Sequence, residues 1–189
     1  MNSSNIPYDA NEFTGKRVLV TGGSKGIGGA ITDRFQRGGA TVIITARSAP
    51  TEKTDGHFIQ ADASTAEGAT KVINEILNRF HGIDIIVHNV GGTSAPCGGF
   101  ITVTDEIWQQ ALNENLFPAV RLDRGLLPSM IQRGSGVIIH ISSIQRTMPQ
   151  YDSTLAYAAA KAALTNYKEP IERSQSQRNS RRDGFARLH

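Results

Sequence analysis

Two side chains four residues apart in the last apolar stretch, Tyr157 and Lys161, can do proton chemistry. A spacing of four places them on one helical face. A phenol titrates near ~10 and is a poor base at neutral pH. Lowering that value by about 3 units takes roughly 4 kcal/mol. A neighbouring ammonium supplies part of it by Coulomb attraction where water is thin. Fourteen residues upstream of Tyr157 stands Ser143, so a loop must fold back to bring the hydroxyl to the phenol. Ser142 competes for the same place. Near the other end of the chain, Thr21-Gly22-Gly23-Ser24-Lys25-Gly26-Ile27-Gly28 lies between a β-rich run and a helical pattern. Glycines in such a turn let the backbone approach a pyrophosphate, and the N-terminus of the helix that follows favours its charge.

The elements that must position these groups alternate along the chain. Strands are expected at Arg17–Thr21, Thr41–Thr45, His57–Gln60, Ile83–His88 and Gly136–Ile141. Helices are expected at Gly26–Arg37, Thr65–Phe80, Thr104–Gln132 (interrupted near Pro118) and Asp152–Tyr167. The second of these puts Ala69, Val72, Ile73, Ile76, Leu77 and Phe80 on one face. Apolar strands separated by helices argue an α/β fold, a Rossmann-like, doubly wound parallel sheet in three layers. Ligands of such a sheet bind at the carboxyl ends of its strands. Trp108 reads as a packing residue, Cys97 as an ordinary loop or pocket residue and Asp84 as a residue that caps or borders a strand.

The 189 residues carry a formal net charge of +3, and no run of 18 apolar residues predicts a membrane-spanning helix. One cysteine excludes an internal disulfide and a cysteine-based metal cluster. The excess charge sits in residues 168–189, which hold 6 Lys+Arg and 3 Asp+Glu, whereas residues 1–167 hold 14 of each. The basicity therefore belongs to the tail and argues against a nucleic-acid partner. Met1–Thr14 lacks a signal pattern, so a cytoplasmic location is the default expectation.

The order of the motifs resembles the short-chain dehydrogenase/reductase family over residues 15–167. The turn reads T-G-x-x-x-G-x-G. Asp62 follows the third strand, His88-Asn89-Val90-Gly91 resembles an N-N-A-G segment, Asn115 lies in the long helix, Ser143 stands in I-S-S, and Tyr157 to Lys161 reads Y-x-x-x-K. His88 departs from the family's usual Asn and bears on the hydrogen bonds that tie neighbouring strands. The resemblance implies a carbonyl–alcohol oxidoreductase with a nicotinamide dinucleotide cofactor and a small-molecule substrate. In it Tyr157 is the acid/base, Lys161 lowers the phenol's pKa and holds the nicotinamide ribose, Ser143 hydrogen-bonds the substrate oxygen, and Asn115 holds a water linking Lys161 to solvent. Cofactor contacts are implied for Gly22, Ser24, Lys25, Gly26, Ile27, Gly28, Asp62, Asn89 and Gly91, as well as Tyr157 and Lys161. At the end of the second strand stand Ala46 and Arg47 rather than a carboxylate. A guanidinium there, with Lys25 nearby, pairs with a 2′-phosphate, so NADP(H) is favoured over NAD(H). A homotetramer or dimer is implied for a complete fold.

Past Tyr167 the pattern stops. Pro170 interrupts the helix, and the Arg- and Ser-rich remainder has neither helix nor strand periodicity. The family's sixth and seventh strands and a Pro-Gly turn are expected in this stretch. Synonymous codons for the segment from Lys168, read one nucleotide later, give K-S-L-S-K-E-V-S-P-K-G-I-R-V-V-(T or M)-V-S-P-G. The expected organisation is thus an N-terminal extension (1–14), an incomplete Rossmann domain (15–167) and a non-native basic tail produced by a frameshift (168–189). A chain so truncated would expose its fifth strand as an apolar edge. The alternative to an oxidoreductase is then an inactive remnant that at most binds nucleotide.

Overall fold

The structure is a computed structural model, and it describes residues 9–49 and 56–167. Five strands form one sheet, β1 (Arg17–Thr21), β2 (Thr41–Ala46), β3 (His57–Gln60), β4 (Ile85–His88) and β5 (Val137–His140), in the order β3-β2-β1-β4-β5. The β1–β2, β1–β4 and β2–β3 pairings are parallel, with Leu19 level with Ile43 and Ile86. The helices are α1 (Gly26–Arg37), α2 (Ala66–Phe80), α3 (Asp105–Asn115), α4 (Phe117–Arg133) and α5, residues 155–167. This is the α/β Rossmann-like architecture that the alternation of elements implied.

The described residues fall into two compact units, one drawn from residues 9–90 and 118–139, the other from 91–117 and 140–167. In the first, β1 and β2 are buried nearly end to end, as expected of parallel strands covered on both faces. Leu19, Ile43, Ile59 and Ile86 face α2 (Ala69, Val72, Ile76) and α4 (Leu122, Leu126, Met130) in one apolar core. Gly125 lets those two helices close up, since a Cβ there would stand 2.5 Å from the Ile73 side chain. On the opposite face α1 packs, with Thr32 donating through Oγ1 to Gly23 O at 3.1 Å.

Helix ends follow local chemistry. Thr65 caps α2 by accepting from Gly68 N at 3.0 Å, and the helix stops where His81 takes a left-handed conformation (φ 56°). The helix expected over Thr104–Gln132 with an interruption near Pro118 is two helices. Leu116 separates them, and Pro118 sits in the first turn of α4, where its missing N–H costs nothing. Phe13, four residues before β1, packs against α1. The Phe13 ring lies 4.7 Å from that of Phe35, and Phe13 N donates to Gly38 O at 2.7 Å.

β5 ends the sheet among the described residues, with Val137 51% and Ile139 37% exposed. The expectations for residues 168–189 lie outside the described residues.

Asp84 does more than border a strand. Its carboxylate accepts from Arg17 Nη2 at 2.7 Å, Arg17 Nε at 2.8 Å and the Arg17 backbone N at 2.9 Å, with Arg133 Nη2 3.5 Å away. These bonds, the Arg17 side chain first, hold its pKa down at about 2 against an ordinary 3.8. A depressed carboxylate stabilises the fold above its unfolded pKa and loses that contribution as pH falls toward the folded value. Asp84→Asn should therefore cost about 2 kcal/mol at pH 7. Its urea midpoint should converge on that of the parent chain near pH 2, and equal differences at both pH values would contradict the assignment.

Candidate active site

In the first unit, β1 runs into the glycine turn and α1 begins directly after it. Gly22 and Gly26 have φ of 64° and 57°, a backbone region that glycine reaches without strain. Gly28 is required for a different reason. A Cβ there would stand 2.1 Å from Gly22 O and 2.5 Å from Asn89 Nδ2. Asn89 braces the turn from β4, its Nδ2 donating to Thr21 O at 3.1 Å and Gly22 O at 3.3 Å. The α1 N-cap residue, Lys25, supplies no side-chain cap, so the first N–H groups of the helix are left to an outside acceptor. Lys25, Gly26 and Ile27 are exposed around that end. The cradle fits a dinucleotide pyrophosphate: a glycine-lined backbone beside an uncapped helix N-terminus.

Exposed Arg47 follows β2, whose Thr45 O accepts from Gly22 N at 2.7 Å, so a guanidinium-bearing segment continues the strand that borders the turn. Gln60 Nε2 donates to Arg47 O at 3.0 Å and holds this segment against β3. Asp62, just past β3, accepts from Ser64 N at 2.9 Å and Ser64 Oγ at 2.6 Å. Its carboxylate thus organises the turn that leads to the Thr65 cap.

The second unit holds Asn115, Ser143, Tyr157 and Lys161. Lys161 is 3% exposed on α5, and burial pushes its ammonium pKa down. Its Nζ donates to Ile141 O at 3.1 Å and stands 5.8 Å from the Tyr157 ring centroid. Asn115, 2% exposed at the end of α3, exchanges two hydrogen bonds with Gly92: Gly92 N donates to Oδ1 at 3.0 Å, and Nδ2 donates to Gly92 O at 2.9 Å. Gly91 is where these groups converge. A Cβ on it would stand 2.7 Å from Asn115 Oδ1 and 2.8 Å from Lys161 Nζ.

Ser143 precedes a single 3-10 turn, Ile144–Arg146, and its Oγ accepts from Gln145 N at 3.3 Å. Arg146 Nη1 donates to Thr165 Oγ1 at 3.4 Å, tying the Ser143 segment back onto α5 as the fourteen-residue interval requires. Ser142 is the more exposed of the two serines.

Gly91, Asn115, Ser143, Tyr157 and Lys161 thus belong to one unit. Gly22, Ser24, Lys25, Gly26, Ile27, Gly28, Arg47, Asp62 and Asn89 belong to the other. Sequence reasoning missed the backbone partners, Gly92 and Ile141 O, because a carbonyl or amide partner leaves no mark in residue type. It also missed a small cleft in the second unit, lined in part by Gly92, Ser94, Ile107, Gln110, Glu114 and Ala156. There Gln110 Nε2 bridges Glu114 Oε1 at 2.9 Å and Ser94 Oγ at 3.3 Å.

The parallel sheet with its flanking helices defines an α/β protein of Rossmann type, and comparison with known proteins makes the class definite. The short chain dehydrogenase family model matches residues 16–180, and the chain belongs to that family of oxidoreductases. It is 35% identical over 172 residues to a short chain dehydrogenase of Pseudocercospora fijiensis, covering 85% of this chain and 55% of that protein. It is 32% identical over 174 residues to the 3-oxoacyl-acyl-carrier-protein reductase FabG of Vibrio harveyi, covering 87% of this chain and 69% of that one. A crystal structure of L-sorbose reductase from Gluconobacter frateurii, complexed with NADPH and L-sorbose, superposes with a TM-score of 0.80 at 32% identity, covering 90% of this chain and 68% of that one. The chain spans 55% and 59% of the length of the first two curated relatives it matches.

Two glycine substitutions test the geometry. Gly28→Ala should weaken dinucleotide binding by at least about tenfold, because overpacked backbone must shift. Gly91→Ala should lower kcat by roughly a hundredfold through displacement of Lys161 and Asn115. Titration calorimetry reads the first and steady-state kinetics the second. Unchanged binding in Gly28→Ala would contradict the cradle.

Proposed function

We propose that this protein interconverts a ketone or other carbonyl and a secondary alcohol, with NADP(H) preferred to NAD(H). The observation that carries the reaction is Lys161, an ammonium buried beside a tyrosine ring at 5.8 Å and held by a backbone carbonyl. Structure does not require a lysine there, since Lys is among the residues least often fully buried. A bound nicotinamide dinucleotide supplies the hydride.

The chain's residues handle the proton and the substrate oxygen. Tyr157 gives its hydroxyl proton to the carbonyl oxygen during reduction and takes it back during oxidation. Lys161 places positive charge near the ring, in surroundings where charge is weakly screened. Ser143 donates a hydrogen bond to the same substrate oxygen. Asn115, locked to the Gly92 backbone, holds the water that reconnects Lys161 with solvent. Gly22, Ser24, Gly26, Ile27 and Gly28 receive the pyrophosphate, Asp62 the adenine, and Asn89 and Gly91 border the nucleotide.

Arg47 and Lys25 support the NADP(H) preference. Both are exposed, and the strand end before Arg47 carries Ala46 where an NAD enzyme places a carboxylate. The neighbouring structure in complex with NADPH is consistent with it. A small carbonyl compound is the substrate class, and a homodimer or homotetramer in the cytoplasm is the setting proposed.

A second reading, nucleotide binding without turnover, is favoured by one observation. The β5 edge leaves Val137 and Ile139 exposed among the described residues.

NADPH should bind the chain at least about tenfold more tightly than NADH, and Arg47→Asp should reverse that order, in keeping with the worth of a charge-assisted pair. Tyr157→Phe should lower carbonyl reduction by about a hundredfold or more while leaving NADPH affinity within about threefold. Tighter NADH binding by the unaltered chain would overturn the cofactor preference. Binding of NADPH without reduction of any carbonyl would establish the second reading.

A further inference from the structure

We infer that His88 and Asp123 form a buried positioning pair that fixes the glycine turn through the end of β4, and that dinucleotide affinity depends on it. This rests on the reading of the turn as the pyrophosphate site. His88 is 4% and Asp123 1% exposed, and His88 Nε2 stands 2.8 Å from Asp123 Oδ1. Asp123 lies on α4, so the pair pins the last residue of β4 to the helix that covers one face of the sheet. Among the described residues Asp123 Oδ2 has no hydrogen-bond partner, which makes His88 the group that answers this buried carboxyl.

The residues flanking His88 are committed to the turn. Thr21 Oγ1 donates to Val87 O at 3.3 Å and accepts from Asn89 N at 2.9 Å and Val90 N at 3.1 Å. Asn89 Nδ2 then reaches Thr21 O and Gly22 O. Side chains alternate along an extended segment, so the ties made by residues 88 and 89 pull from opposite sides. The turn has no slack to absorb a displacement. Gly22 O and Asn89 Nδ2 both lie where even one carbon on Gly28 would collide. A shift of Asn89 therefore moves Gly22 O and the start of α1 with it, and that helix start is the proposed anion site.

Three variants separate positioning from general stability. His88→Ala removes the tie. His88→Gln offers an amide nitrogen at about the reach of Nε2, and Asp123→Asn keeps shape without the carboxylate. Amide hydrogen exchange is read by mass spectrometry on the ligand-free full chain, and NADPH affinity by calorimetry. In His88→Ala, residues 22–28 should exchange about tenfold faster while β2 and β3 change less than about threefold, a local rather than global opening. NADPH affinity should fall by about tenfold, roughly the net worth of one hydrogen bond, with kcat at saturating NADPH unchanged. His88→Gln should restore both readouts, and Asp123→Asn should fall between. Exchange at residues 22–28 like that of the unaltered chain would overturn the inference. So would an equal rise across β2, β3 and the turn, or unfolding of both His88→Ala and Asp123→Asn, since the pair would then hold the fold alone. A local exchange effect in a chain that binds no dinucleotide would leave the clamp standing and overturn its link to affinity together with the proposed site.

Discussion

A lysine ammonium held almost wholly out of water is the constraint that the second unit is built around. Placing a charge at 3% exposure is costly unless hydrogen bonds and shape compensate. Here Ile141 O accepts from it, and Gly91 leaves room for it by having no side chain. Asn115, fixed by two bonds to Gly92, lines the same space. The glycines after β4, the end of α3 and the residues after β5 are each shaped by this one group. A tyrosine one helical turn away inherits a positive, poorly screened neighbour.

The first unit meets a different demand, close approach of backbone to backbone. Gly22, Gly28 and Asn89 are in contact so tight that one carbon more would not fit. Such packing leaves the α1 N-terminus fixed and its first N–H groups turned outward. The parallel core beneath, from Leu19 to Met130, is what keeps the strand ends level. A rigid turn of this kind favours ligand binding, since binding energy spent on ordering a loose turn is lost to affinity.

Much of this was legible in the residues. Buried strands announced themselves as β-branched runs, and the amphipathic face of α2 as a helical repeat. The glycine turn and the Tyr157–Lys161 spacing were legible because each chemistry demands a residue type at a fixed offset. Boundaries were less so: β4 begins at Ile85 rather than Ile83, whereas the break between α3 and α4 falls at Leu116, near Pro118 as expected. Trp108, read as a packing residue, is 39% exposed. Asp84 looked like a strand border, and its partners Arg17 and Arg133 lie far off in sequence. His88 stood out as a departure, but Asp123, 35 residues later, carries no local signal of pairing with it. Tertiary partners and backbone acceptors are properties of the folded chain, and residue type alone does not encode them.

The central claim is that Tyr157 and Lys161 form a working proton-transfer group served by a hydride donor. The direct measurement is a single-turnover reaction of the full chain with NADPH deuterated at the transferable position, using a panel of ketones and mass spectrometry of the products. The account predicts an alcohol one mass unit heavier, with deuterium on the carbinol carbon, formed at least about a hundredfold more slowly by Tyr157→Phe. Retention of all deuterium on a cofactor shown to be bound, across the whole panel, would contradict it.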